Sequence, residues 1–137
     1  MVLVDTSIWS LALRRRSDDL SPEEQSLTRA LRELIQDGRT QILGPIRQEL
    51  LSGIREQAHF LKLRDYLRAF DEPRLEAEDY EEAAQIHNRC RARGISGSTI
   101  DFLICSAAQR RGWQIFTTDK DIHQSAKIVP LRLFHST

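Results

Sequence analysis

The sequence contains only two cysteines, and neither stands in a pattern that binds metal or forms a disulfide framework. Cys90 and Cys105 lie inside predicted helices, without a Cys-x-x-Cys or Cys/His spacing around them. A structural zinc site and a disulfide-stabilised secreted fold are therefore not expected. Reduced cysteines are typical of cytoplasmic proteins, so we expect a cytoplasmic location.

Net charge and long apolar runs are also missing. The 20 Lys and Arg residues balance 20 Asp and Glu residues, so no overall positive field attracts nucleic acid or anionic lipid. Any nucleic-acid site must be local.

No run approaches the roughly 20 apolar residues of a membrane span. The apolar start of the chain is interrupted by Asp5 and lacks a preceding basic residue, unlike a signal peptide. We expect no membrane association.

Arginine supplies 17 of the 20 cations. A guanidinium group can bind phosphate or carboxylate through two parallel hydrogen bonds. A solvated helix face is nevertheless the ordinary explanation for any single arginine cluster. The clusters are Arg14 to Arg16, Arg89 with Arg91 and Arg93, and Arg110 with Arg111.

Hydrophobic patterning predicts an α/β fold in one domain, residues 1–137. Strands are predicted at 1–4, 40–43, 113–118 and 128–134, and helices at 8–13, 22–37, 46–51, 55–70, 77–93, 100–111 and 120–127. This order predicts a three-layer sandwich with a mostly parallel central sheet surrounded by helices. The inner face of the helix at 77–93 is predicted to carry Tyr80, Ala83, Ala84, His87 and Cys90.

The stretch from Ile100 to Asp121 organises the predicted site. Its first part is predicted to be an amphipathic helix that ends at Gly112 and is followed by a buried strand. Asp101 falls in the first turn, one position off the apolar face, and Asp119 lies just past the strand. In a parallel sheet the ligand crevice lies beyond the carboxyl ends of the strands. We therefore expect an acidic pocket there.

Two further acids, Asp5 and Glu49, follow the first and second predicted strands. Together with Asp101 and Asp119 they would repel one another unless a cation neutralised them. Oxygen ligands without Cys or His favour Mg²⁺ or Mn²⁺, and such an ion supports phosphodiester hydrolysis. Each acid can instead cap a helix, which for Glu49 is an equally good explanation. Asp121 can replace or assist Asp119.

These acids lie in segments that resemble the motifs of PIN domains, in that family's order and over nearly the whole chain. The motifs are Val4-Asp5-Thr6-Ser7-Ile8-Trp9, Glu49-Leu50-Leu51-Ser52-Gly53, Ile100-Asp101-Phe102-Leu103-Ile104 and Thr117-Thr118-Asp119-Lys120-Asp121. Length and layout most resemble the VapC-type toxins of bacterial toxin–antitoxin pairs. One departure is Ile104-Cys105-Ser106, where many relatives carry small alanines, and it affects packing rather than metal ligands.

The resemblance implies a Mg²⁺- or Mn²⁺-dependent endoribonuclease with RNA as substrate. Its acidic pocket would consist of Asp5, Glu49, Asp101 and Asp119, all four as catalytic metal ligands. Thr6 or Ser7, together with Thr117, would orient carboxylates through hydrogen bonds. The resemblance also implies a homodimer and inhibition by a cognate antitoxin whose tail enters the site.

Two other functions fit parts of the sequence. The Asp-Thr pair after the first strand resembles a phosphoaspartate nucleophile, but haloacid-dehalogenase-like phosphatases carry a second Asp where Ser7 stands. Receiver domains need paired acids after the first strand, which are also absent here. A non-catalytic module that only binds a protein or RNA is the third interpretation, and it has no need for four clustered acids.

Overall fold

The structure is a computed structural model that describes residues 1–13 and 16–135. Arg14 and Arg15 of the first arginine cluster therefore lie outside the described residues. In chain order the elements are β1 (Val2–Val4), α1 (Thr6–Leu13), a 3₁₀ turn (Ser17–Asp19), α2 (Pro22–Gln36), β2 (Thr40–Gln41), α3 (Gly44–Leu51), α4 (Gln57–Leu67), α5 (Ala77–Ala92), α6 (Thr99–Arg111), β3 (Gln114–Phe116), α7 (Lys120–Ser125) and β4 (Arg132–Leu133). The predicted α/β class and the predicted order of elements are confirmed.

The four strands form one parallel sheet in the order β2-β1-β3-β4. Leu3 of β1 is aligned with Gln41 of β2 and with Ile115 of β3, and β1 is completely buried. The chain connects β1 first to β2 on one side and later to β3 on the other. The connections therefore change direction between β1 and β3, and the ligand crevice of a parallel sheet lies at that point. Residues that follow Val4 and Phe116 therefore face each other at the carboxyl edge.

Local signals in the sequence begin and end the helices as predicted. Ser21 and Glu24 form a capping box, in which the Ser21 Oγ accepts from the Glu24 N–H at 3.1 Å. In return the Ser21 N–H donates to the Glu24 carboxylate at 3.0 Å. Pro22 occupies the first helical position, where its missing N–H costs nothing. Gly112 ends α6 at φ 70°, a left-handed conformation that favours glycine.

The strands are shorter than the sequence predicts. β2 excludes Ile42 and Leu43, because the Ile42 N–H donates to the carbonyl of Asp71 at 3.1 Å and Leu43 becomes the N-cap of α3. β4 covers only the end of the range 128–134, since Pro130 has no N–H to donate to a strand ladder. β3 likewise excludes the residues at both of its predicted ends.

Two predictions about helix faces are wrong. α6 is not amphipathic, because residues 101–108 are all buried between the sheet, α5 and α7. Asp101 is thus itself buried rather than lying beside an apolar face. On α5, Tyr80 is 54% exposed and Ala84 is also exposed, so neither belongs to the inner face. The buried residues of α5 are Asp79, Ala83, Ile86 and Cys90.

Asp79 is a fully buried carboxylate between α5 and α6. Arg111 donates to both of its oxygens, at 2.7 and 3.0 Å, and Arg110 lies 2.7 Å from Oδ1. The N–H of Glu76 donates to Oδ2 at 2.8 Å, and the hydroxyl of Ser106 donates to the Asp79 carbonyl at 2.7 Å. The start of α5 is thereby tied to the end of α6, and this arginine pair serves the fold.

Both cysteines are buried free thiols. The Sγ of Cys90 lies 3.7 Å from the Ser125 hydroxyl and joins α5 to α7. In the part of the chain that the structure describes, no helix combines the length and apolar composition needed to cross a membrane.

Candidate metal centre

Asp5 is placed by the end of the central strand. Its N–H donates to the Phe116 carbonyl at 2.9 Å, which continues the pairing of β1 with β3 by one residue. Its side chain is only 6% exposed. The Oδ2 atom accepts hydrogen bonds from Thr117 Oγ1 at 2.7 Å and from Ser7 Oγ at 2.9 Å. One oxygen of Asp5 is thus held by two hydroxyls from the two neighbouring strand ends.

Thr117 joins the ends of β1 and β3 to the loop that carries Asp119. Its hydroxyl donates to Asp5 and accepts from the Asp119 N–H at 2.9 Å. The Ser7 hydroxyl similarly accepts from the Thr118 N–H at 3.0 Å. The hydroxyl of Thr6 is buried without a hydrogen-bond partner among the described residues. Of the two hydroxyls considered from the sequence, Ser7 is therefore the one that contacts Asp5.

Replacing Thr117 with valine should weaken binding of Mn²⁺ by about 10- to 100-fold, because groups that orient metal ligands have effects of that size. Valine keeps the shape of the side chain but removes both hydrogen bonds that align Asp5 and Asp119. Titration with Mn²⁺, followed by the rise in melting temperature, measures this loss. Thr118→Val is the matched control, since its side chain is exposed, and equal losses in both variants would contradict the orienting role.

Asp101 occupies the first turn of α6 and closes a capping box with Ser98. The Ser98 N–H donates to Asp101 Oδ2 at 2.9 Å, and the Asp101 N–H donates to Ser98 Oγ at 3.1 Å. The side chain is 9% exposed. The acid therefore caps its helix and also lies beside the other acids, so its capping role does not exclude a place in the predicted site.

Asp119 and Asp121 complete a tight acidic group with Asp101. Each of the three offers a carboxylate oxygen, and these atoms all lie within 4.8 Å of one another. Asp119 is the N-cap of α7, with its Oδ1 accepting from the Asp121 N–H at 2.8 Å. The short N-cap turn thereby brings the side chain of Asp121 beside that of Asp119. The structure thus places Asp121 beside Asp119, and its part in the site stays a prediction.

The acids create a strongly negative environment. Burial raises the pKa of Asp101, the hydrogen bond from the Ser98 backbone opposes this, and the charges of Asp119 and Asp5 raise it further. Burial, followed by the charge of Asp101, also raises the pKa of the Cys105 thiol to about 12. A cation at this position would relieve the smaller part of these shifts that comes from repulsion between the carboxylates. Cys105 itself stays a neutral thiol and packs in the core.

Glu49 is the predicted site residue that this geometry does not bring into the group. It lies on the exposed side of α3, one turn beyond the N-terminus of that helix. Among the described residues the group within 4.8 Å contains Asp101, Asp119 and Asp121 only. Asp5 lies outside that limit too, but close enough for its charge to act on Asp101. The part assigned to Glu49 stays a prediction.

The donor set fits a hard divalent cation. Two ligands on opposite sides of Mg²⁺, each about 2.1 Å from it, stand about 4.2 Å apart. The three carboxylate oxygens, all within 4.8 Å of one another, are therefore near the spacing that ligands of a single ion require. All donors are oxygen atoms, which suits Mg²⁺ or Mn²⁺ rather than Zn²⁺.

Comparison with known proteins places the chain in a family. A model of the PIN domain matches residues 2–128. FitAcB from Neisseria gonorrhoeae is similar in fold, with a TM-score of 0.74 and 16% identity, and the match covers 99% of this chain and 98% of that one. VapBC2 from Rickettsia felis, bound to a promoter DNA fragment, has a TM-score of 0.72 and 16% identity, with 98% of each chain covered. The sarcin–ricin loop cleaving toxin VapC20 of Mycobacterium tuberculosis has a TM-score of 0.66 and 19% identity, with 96% of this chain and 99% of that one covered. No curated protein matches by sequence. The chain belongs to the PIN domain family.

Proposed function

We propose that this chain is a metal-dependent endoribonuclease and the toxin of a toxin–antitoxin pair, folded as a single PIN-like domain. The observation that carries the proposal is the meeting of Asp101, Asp119 and Asp121, with Asp5 nearby, at the carboxyl edge of the sheet. Family membership and the fold shared with VapBC2 and VapC20 support it. Asp5, Asp101 and Asp119 are proposed as catalytic metal ligands, with Asp121 added and Glu49 retained from the sequence.

Each residue of the proposed site has a defined task. The carboxylates would hold Mg²⁺ or Mn²⁺, which when bound supplies an activated water and shields charge on the phosphodiester. Ser7 and Thr117 hold one oxygen of Asp5, and so fix the direction of the other. Ser98 holds one oxygen of Asp101 in the same way. Pre-orientation of this kind keeps the ligand set from rearranging when RNA arrives.

The proposal extends to partners and location. One similar structure is a toxin–antitoxin complex from Klebsiella pneumoniae, with a TM-score of 0.67, which supports a cognate antitoxin for this chain. A net charge of zero suits a nuclease under the control of a partner better than an indiscriminate one. We include a homodimer, an RNA substrate and a cytoplasmic location in the proposal.

Adding Mn²⁺ or Mg²⁺ to the purified chain should raise its melting temperature. An ion at 100 times its dissociation constant stabilises the folded state by about 2.7 kcal/mol, which corresponds to about 8 °C for a domain of this size. Binding also removes the repulsion around Asp101. Differential scanning calorimetry with and without EDTA measures the shift.

The matched control is Asp101→Asn, in which the metal-dependent shift should be largely lost while melting in EDTA stays cooperative. A wild-type chain that shows no metal-dependent shift and cleaves no cellular RNA would be a binding module rather than a nuclease. Phosphorylation of Asp5 by a small phosphodonor would instead support the phosphotransfer interpretation.

A further inference from the structure

A small cleft lies beside the acidic site, between the end of α5 and the loop at residues 94–98. Its volume is about 310 Å³, and its lining residues are His87, Arg91, Gly94, Ile95, Ser96 and Gly97. The loop continues directly into Ser98, whose N–H holds Asp101 at 2.9 Å. The loop that lines the cleft is therefore adjacent in sequence to the residue that holds Asp101.

Arg91 is the charged group of this cleft. Its guanidinium lies 3.3 Å from the Nε2 of His87. Because a guanidinium only donates, the imidazole nitrogen must be the acceptor. The His87 ring is in turn stacked on Phe102, with centroids 4.6 Å apart and planes at 14°. A fixed aromatic stack thus supports the guanidinium, and Phe102 is the immediate neighbour of Asp101.

Arg91 differs from the arginine two residues before it. Arg89 donates to Glu82 at 3.1 Å, an ordinary surface ion pair. Among the described residues no carboxylate lies within ion-pair distance of Arg91. Cations near the end of a helix complement its dipole, and that explanation applies equally to both arginines. The helix dipole does not explain why Arg91 lines a cleft beside the acids and has no acidic partner among the described residues.

The opposite wall of the cleft consists of the loop backbone with the side chains of Ile95 and Ser96. A Cβ added to Gly97 would lie 2.8 Å from the Phe102 ring, so the loop packs closely against the same aromatic stack. Gly94 has φ +74°, which turns the chain sharply out of α5. The two glycines add no side chain to this wall. The Arg91 guanidinium and the Ser96 hydroxyl together form a setting suited to phosphate oxygens.

We propose that this cleft binds a backbone phosphate of the RNA strand, next to the phosphodiester that reaches the acidic site; the inference rests on the proposed ribonuclease function. RNA brings negative charge towards a cluster of carboxylates, and the chain has no net positive charge to compensate. A local cation beside the acids supplies that compensation. Arg91 is then a positioning residue that sets where the strand enters.

Four proteins test the assignment: wild type, Arg91→Gln, Arg91→Lys and the matched control Arg89→Gln. Binding to a fluorescein-labelled single-stranded RNA of mixed sequence is followed by anisotropy in EDTA at increasing KCl. Arg91→Gln should weaken binding about tenfold and reduce the slope of log K against log [KCl] by about 0.7. Arg91→Lys should keep the slope, because it keeps the charge. Arg89→Gln should stay within about twofold of wild type.

Cleavage of total cellular RNA in Mg²⁺ is measured in parallel. If the wild type cleaves RNA but Arg91→Gln binds like Arg89→Gln, the phosphate subsite is wrong and the ribonuclease function stands. If the wild type neither binds nor cleaves RNA, both fail. If Arg91→Gln instead changes the elution volume of the protein, Arg91 lies in a contact between chains and the subsite is wrong.

Discussion

Replacing Asp101 with asparagine is expected to lower metal-dependent RNA cleavage by about a hundredfold to a thousandfold, the effect of removing one well-placed electrostatic group from a catalytic site. The change removes a full charge from the group that Asp101 forms with Asp119 and Asp121. Initial rates of cleavage of cellular RNA at saturating Mg²⁺ measure the effect. Loss of growth arrest after induction in cells is the corresponding biological result.

Asparagine is the informative substitution because it leaves the fold intact. Its side-chain oxygen can still accept the hydrogen bond from the Ser98 N–H, so the N-terminal cap of α6 is kept. Repulsion from Asp119 and Asp5, which raises the pKa of the native carboxyl, is relieved. We therefore expect the melting temperature in EDTA to be unchanged or higher. A variant that is inactive because it is unfolded would show the opposite.

Two further variants serve as comparisons for Asp101→Asn. Glu81→Gln, an exposed acid on α5, should retain full activity. Glu49→Gln tests the acid that the structure leaves outside the group, and a loss as large as that of Asp101→Asn would place it in the working site. Full activity in Asp101→Asn would exclude the proposed metal centre.

Replacing Asp79 with alanine is expected to destabilise the protein by about 3–5 kcal/mol and to lower the melting temperature by about 10–15 °C. The substitution leaves Arg110 and Arg111 without their shared carboxylate in a partly buried position. It also removes the acceptor for the Glu76 N–H at the start of α5. Thermal unfolding followed by circular dichroism measures the change, while residual RNA cleavage below the new midpoint should remain.

The matched control is Asp65→Ala, which removes an ion pair of similar length with Arg64 at the surface. That pair is exposed to solvent, so its loss should cost less than about 1 kcal/mol. The difference between the two variants isolates the effect of burial. Similar small effects at both positions would show that Asp79 does not hold α5 to α6.

Acid should reveal the same contact through the pH dependence of stability. The hydrogen bond from Arg111 holds the pKa of Asp79 well below its usual range, against the opposing effect of burial. A group whose pKa is depressed by folding stabilises the protein above its unfolded pKa, here about 4, and this contribution is lost as pH falls further. Asp79→Ala should therefore lose less stability than the wild type on acidification below about pH 4.

Short-range interactions made much of the fold predictable from the sequence. Ser21 with Glu24 and the glycine after α6 act within a few residues, so they mark the ends of helices in any context. The order of strands and helices then implies a parallel sheet, and Asp5 and Asp119 follow its strands along the chain. Their meeting at one edge follows from connectivity alone.

Helix rotation is what the sequence left open. One residue of α-helix corresponds to about 100° around the axis, so Tyr80 and Asp79 point to different sides. The apolar pattern predicts Tyr80 on the buried side, whereas the structure places Asp79 there. The better signal was present: Asp79, Ala83, Ile86 and Cys90 follow the helical period, and Arg110-Arg111 offered the charge partner. A charged residue is seldom fully buried unless it is paired, and only the tertiary structure shows Asp79 paired with Arg110 and Arg111.

The sequence by itself determined the class of fold, the order of its elements and the edge of the sheet where acids collect, because these depend on patterns within single segments. Only the tertiary structure decided that Asp121 joins Asp101 and Asp119, that Glu49 stays outside their group, and that Ser7 rather than Thr6 contacts Asp5. The distances that join Asp101 to Asp119 and that separate Glu49 from them connect residues far apart in the chain. They depend on how α3, α6 and α7 pack on the sheet, and no local pattern encodes that.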